Sequence, residues 1–159
     1  MSYKNTVKTE IGTAMLENPD TDVIETILAP IYSRALEEAK ITGQSIESIT
    51  YEILEGFEEA LCSQNPQISH ALEKAAEKMA HIIHRNAEED IAHHQKLTQI
   101  AQERLEEHID TEKAHLYELS EALRHYADEK SHRYLLEKLH SVEAKIKSLI
   151  TSLTEKEST

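Results

Sequence analysis

LEEHIDTEKAHLYELSEALRHYADEKSHRYLLEKLHSVEAKIKSLITSL, residues 105–153, contains neither glycine nor proline, and its apolar residues recur every three or four positions. One stripe runs through Leu105, Ile109, Leu116, Leu119, Leu123 and Tyr126, with Glu112 occupying a seam position among them. A second runs through Leu135, Leu139, Val142, Ile146, Leu149 and Leu153. Steps of three and four keep one face of a helix turned toward a partner, so each stripe reads as an amphipathic helix. The two stripes differ in phase by about two residues, which places a turn or a stutter between them. The polar stretch Asp128-Glu129-Lys130-Ser131 is where that break belongs.

Outward from this stretch the same character continues. All three glycines (Gly12, Gly43, Gly56) and all three prolines (Pro19, Pro30, Pro66) precede residue 67. The two residue types make up about 12% of ordinary sequence, so a breaker-free run of this length has a chance probability on the order of 10⁻⁵. After Pro66, Ile68, Leu72, Ala75, Met79 and Ile82 form a further seam that fades between His84 and Lys96. As one rod, residues 67–155 would reach about 130 Å at 1.5 Å per residue. Turns near 110 or 130 would instead fold the segment back, and antiparallel packing would bury these narrow stripes within one chain. An intermolecular coiled coil is the close rival.

The first part of the chain carries the punctuation. Asn18-Pro19 and Asn65-Pro66 read as helix starts, because Asn caps free amides and Pro at the next position has none to satisfy. Val23, Ile24, Ile27, Ile31, Ala35, Leu36 and Ala39 recur at helical spacing across Pro30, which should kink or divide that helix near Ala29. Thr42-Gly43-Gln44-Ser45 reads as a glycine stop followed by a serine cap. Ile46, Ile49, Ile53, Phe57, Ala60 and Leu61 stripe the next helix, so residues 19–63 read as an antiparallel hairpin. Residues 3–17 read as a shorter helix through Val7, Ile11, Ala14 and Met15. The fold class is therefore all-α: an N-terminal helical hairpin region over 1–64, then long Gly/Pro-free helices over 65–159 forming an elongated bundle or coiled coil, either as a second unit or as one continuous domain.

Composition excludes several functions. Seventeen basic against thirty acidic side chains give a formal charge of −13, which repels nucleic-acid phosphates and anionic membranes. No run approaches the length of a membrane span. The single Cys62 cannot form an intrachain disulfide and the N-terminus has no apolar signal segment, so a cytoplasmic setting is expected. There is no Trp and only one Phe, so the core must come from aliphatic residues and Tyr, which suits narrow helix seams. Gly-rich phosphate loops, cysteine pairs and Gly-flanked serine nucleophiles are all missing from the sequence.

The compositional oddity with chemical potential is histidine: all ten lie between His70 and His140. Two triplets, His108, Glu112, His115 and His125, Glu129, His132, share offsets of four and seven, which on a helix align three ligands along one face. Glu77, His81, His84 and Glu88 repeat that geometry, and Glu137 with His140 has the Glu-x-x-His spacing of di-iron bundles. Carboxylates to complete such a centre would be Glu52, Glu55, Glu88 and Glu89. Iron, manganese or zinc would suit such ligands. Structural or solvent-facing histidine is the commoner use, and no cofactor is expected on that reading. Ten histidines protonating near pH 6.5 would also move the charge toward −3, the basis of a pH response.

Three functions follow in order. First stands a non-enzymatic helical interaction protein (adaptor, co-chaperone or scaffold element) with a protein partner, self-association, or both. Second is a metal-binding bundle, a di-iron-like oxidase or a metal store. Third is an acidic mimic of nucleic acid. Residues 1–65 hold four basic and twelve acidic side chains, 4 − 12 = −8, and residues 66–159 hold thirteen and eighteen, 13 − 18 = −5. The glutamate row from Glu47 to Glu59 is thus the surface such a mimic would use.

Overall fold

A computed structural model describes residues 3–17, 22–62, 72–100 and 105–157, and every one of these segments is dominated by helix. Six helices are present among the described residues: α1 Tyr3–Glu17, α2 Asp22–Thr42, α3 Ile46–Cys62, α4 Leu72–Ile100, α5 Leu105–Glu129 and α6 Arg133–Glu157. The bundle-forming expectation holds and the single rod does not, because α6 turns back to pack on α5 and on α4. The two Asn-Pro helix starts fall outside the described residues.

The buried apolar residues of all six helices form one contiguous cluster. Ala75, Met79 and Ile82 from α4, Leu116, Leu119 and Leu123 from α5, and Leu135, Leu139 and Ile146 from α6 are the predicted seam residues, now buried inside a single chain. Burying a Leu or Ile side chain contributes roughly 1.5–3 kcal/mol. That gain comes here without a second copy of the chain. The lone Phe57 and Tyr32 are the largest wholly buried side chains, filling the space where α2 and α3 enter the core.

Two findings in the first three helices bear on the expectations for them. Pro30 does not divide α2, which runs from Asp22 to Thr42 as one helix with the proline inside it. The α2–α3 pair is joined by a tight turn, yet α3 packs most extensively against α1 and α5 rather than against α2. Gly56 explains the α1 contact. A Cβ at this position would sit 2.4 Å from the Lys4 carbonyl oxygen, so only glycine lets the two backbones approach this closely. Lys4 then reaches Glu55 at 3.3 Å and Glu59 at 3.1 Å, and Lys8 reaches Glu59 at 3.6 Å.

The α2–α3 turn follows its sequence signature. Gly43 adopts φ +74°, the left-handed conformation that ends a helix. Ser45 Oγ then accepts the Ser48 amide at 3.2 Å. A second cap comes from α5: Glu118 Oε1 accepts the Ile46 amide at 2.9 Å and the Ser45 hydroxyl at 3.2 Å.

The α5–α6 turn lacks glycine altogether. The amides of Lys130 and Ser131 both donate to the Tyr126 carbonyl, at 2.9 and 2.8 Å, so the last turn of α5 widens to a five-residue spacing. Ser131 Oγ donates to the Ala127 carbonyl at 2.8 Å. α6 then starts from His132, whose carbonyl accepts the amides of Leu135 and Leu136. The break falls at 130–132, inside and just past the predicted polar stretch, and it is a full reversal rather than a stutter.

Candidate functional site

The seam position held by Glu112 is the chemical anomaly of the bundle. The side chain is 1% exposed, one turn before buried Leu116. A small cavity of about 10 Å³ lies beside it, bordered by Lys40 of α2, Asn86 and Asp90 of α4, and His115 of α5. Lys40 and Asp90 form an ion pair and hydrogen bond that is partly buried. Outside this pair opens a pocket of about 280 Å³, bordered by Ser33, Glu37, Asn86 and His93. The Lys40–Asp90 pair therefore stands between a surface pocket and the buried Glu112 carboxyl.

The electrostatics follow from that placement. Burial pushes the Glu112 carboxyl up to about 7, the Lys40 ammonium works against the rise, and Asp90 adds to it. Burial also pushes the His115 imidazole down, and Lys40 acts in the same direction, while Glu118 and Asp90 oppose. His115 Nδ1 is buried and has no hydrogen-bond partner. Tyr32, buried and near Asp90, has its hydroxyl pushed far up for the same reason. Burial thus raises the proton affinity of the Glu112 carboxyl, and the Lys40 ammonium beside it works against a bound cation.

The predicted histidines are spread along α4, α5 and α6, most of the described ones beside carboxylates. The His108 side chain lies outside the described residues, leaving Glu112 and His115 as the described members of the first triplet. The second triplet spans the end of α5: His125 and Glu129 are on the helix, but His132 lies beyond the turn, so the offset of seven does not put it on their face. His125 faces Glu47 of α3 at 3.4 Å and Glu121 at 3.6 Å, whereas His132 pairs with Glu58 of α3. His81 lies 3.5 Å from Glu25, and His84 lies 3.4 Å from Glu88. His140 faces Asp128 at 3.0 Å and Glu143 at 3.5 Å. Among the described residues no three His, Cys, Asp or Glu side chains gather at metal-holding distance. Glu55 instead takes Lys130 at 2.9 Å, and Glu89 takes Arg85 at 3.1 Å.

The acidic row of α3 is also largely engaged within the chain. Glu47 meets His125, Glu55 meets Lys4 and Lys130, Glu58 meets His132, and Glu59 meets Lys4 and Lys8. Lys4, Lys8 and Lys130 thus offset part of the charge at Glu55 and Glu59, on the surface a nucleic-acid mimic would use.

What the sequence did not single out is the corner beside the α2–α3 turn. Ile41 is 77% exposed two residues before Gly43, and Tyr117 is 58% exposed next to Glu118, the residue that caps the same turn. They are the two large apolar side chains left open among the described residues. The Glu37–Lys40 segment bordering the 280 Å³ pocket is the turn of α2 that leads into Ile41. Stripe counting passes over both residues because each lies off its helix seam.

No described helix is long and apolar enough to cross a membrane. No family model, curated protein or solved structure matches this chain, so the functional reading rests on its own geometry.

Proposed function

We propose that the chain is a non-enzymatic helical interaction protein, an adaptor, co-chaperone or scaffold element, whose protein partner docks at the corner of α2, α5 and the α2–α3 turn. The observation that supports this reading is that Ile41, two residues before Gly43 of the α2–α3 turn, and Tyr117, adjacent in sequence to the turn-capping Glu118, are the two large apolar side chains left exposed among the described residues. An exposed Tyr on a fixed helix is the kind of anchor that dominates protein interfaces, since it loses little conformational freedom on binding. Glu37 stands one helical turn before Ile41, and Glu121 one turn after Tyr117, with Lys113 one turn before it. A partner offering an apolar knob flanked by basic side chains fits that frame. The formal charge of −13 disfavours a second copy as that partner, and the described seam residues are buried within the chain.

The test is a photo-crosslinking residue placed in turn at 41, at 117 and, as a control, at exposed 137 on α6. The expected result is one discrete adduct shared by 41 and 117 and missing at 137. Its purified partner should bind wild-type chain and lose at least about tenfold in affinity to Ile41→Glu or Tyr117→Glu, a typical anchor-residue loss. Equal adducts at all three positions, or none at 41 and 117, would overturn the reading.

Metal binding is the second reading, for which Glu112 and His115 border one cavity, with the Lys40–Asp90 pair beside them opposing a cation. It requires stoichiometric iron, manganese or zinc to accompany untagged protein through size-exclusion chromatography, and Glu112→Gln to lose it while Glu129→Gln separates the two triplets. A metal-free peak ends it.

A further inference from the structure

Away from that corner, α4 and α6 leave an open groove of about 460 Å³, within the size range of small-molecule sites. Its α4 wall presents His81 and His84, and its α6 wall presents Lys138, Ser141 and Lys145, at spacings that keep each set on one helix face. Two acids enter the lining, Glu25 and Glu77, and both are engaged: Glu25 by Lys78 at 3.5 Å and Glu77 by Lys138 at 3.1 Å. Lys78 also meets Asp22 at 3.2 Å. Lys145 makes no ion pair among the described residues. The lining holds three lysines against Glu25 and Glu77, and Asp22 beside Lys78 brings the groove to local neutrality inside a chain whose total is −13, with Lys145 as the lysine left outside these pairs.

Ammonium, hydroxyl and imidazole groups line the same groove, and a phosphate ester presents only acceptors apart from its own acidic protons. Ala80 and Val142 also border the groove and give it an apolar wall. An extended polyanion would meet the acidic remainder of the surface, whereas a small one would feel chiefly the local field. We propose that the α4–α6 groove binds a small phosphorylated organic anion, its phosphate held by Lys145, Lys138 and Ser141 opposite His81 and His84, its organic part lying against Ala80 and Val142. This site is independent of the partner corner and adds a ligand function to the interaction reading.

The experiment uses the full chain with two probes, inorganic phosphate and phenyl phosphate, titrated calorimetrically at low ionic strength. Saturable one-to-one binding is expected, tighter for phenyl phosphate because of the apolar wall. Lys145→Glu should weaken it at least about tenfold, since it replaces an attraction with a repulsion. Arg34→Glu makes the same change of net charge on exposed α2 and should leave binding within about twofold once screening is considered. Matching thermal unfolding of the two variants establishes that both are folded. Absence of saturation with either probe, or equal losses in Lys145→Glu and Arg34→Glu, overturns the site. Equal affinity for the two probes overturns the organic part of the assignment.

Discussion

Glu58 and Glu112 are glutamates withdrawn from solvent, 3% and 1% exposed, in two regions of the same bundle. At the α5–α6 turn, Glu58 of α3 accepts the His132 amide at 3.0 Å and pairs with the His132 ring, so its carboxylate caps the start of α6. Between α2, α4 and α5, Glu112 sits over a water-sized cavity, with an ammonium already committed to Asp90. Burial, the dominant influence there, lifts its proton affinity into the neutral range. The difference teaches that depth alone does not decide what a buried acid does. Donors aimed at one oxygen of Glu58 make it a structural clamp, whereas burial is the largest influence on the carboxyl of Glu112.

The largest expected effect breaks the comparison at Glu112. Between pH 4.5 and about 7 the folded chain holds a proton that the unfolded chain has released, so this residue's contribution to stability falls as pH rises through that window. A rise of about 2.5 pKa units corresponds to about 3 kcal/mol, absent below pH 4.5 and complete above pH 7. Urea unfolding of wild type and Glu112→Gln across pH 4–8 should show the wild type losing about that much more than the variant. Parallel pH curves would remove the basis for calling Glu112 a proton-holding group.

Next comes Glu58→Ala, which removes the clamp from the glycine-free turn. A hydrogen bond to a charged partner contributes about 1.5–3 kcal/mol, so a loss of about 2 kcal/mol is expected at pH 7, with Glu58→Gln intermediate. Chemical denaturation reads this directly. A neutral result would mean that the widened last turn of α5 holds the reversal without help.

The smallest effect sharpens the comparison at the other turn. Glu118→Gln should cost only about 0.5–1 kcal/mol, because Gly43 and Ser45 still end one helix and begin the next. Hydrogen exchange at the Ile46 amide should accelerate in this variant while the His132 amide stays protected. If the two amides respond alike, the turns are not independently capped.

The helix stripes were legible because periodicity reports which face is buried whatever the partner. Met79, Leu119 and Leu139 are in the core for the reason their spacing implies. The Gly43 stop and the break near 130 were legible because glycine and the phase shift are local signals. Gly56 was not, since its role is set by the Lys4 backbone of another helix. Glu58 read only as part of the acidic row and Glu118 drew no reading, because their donors lie more than seventy residues away. Glu112 did stand out as an acid inside an apolar stripe, but Lys40 and Asp90, which define its surroundings, come from two other helices. The His125-Glu129-His132 spacing misled about alignment for a local reason: α5 ends before its third member.

The two cross-helix caps have a kinetic consequence. α5 supplies Glu118 to the start of α3, 72 residues away, and α3 supplies Glu58 to the start of α6, 74 residues away. Closing a loop of this length costs entropy before either contact can reward it. Neither cap exists until α3 has met α5, and that meeting completes both once the α5–α6 turn has formed. The barrier to folding should therefore lie at that encounter, with Glu58 and Glu118 sharing similar φ-values. Severing the chain near residue 64 would leave each fragment with a helix start whose clamp resides on the other.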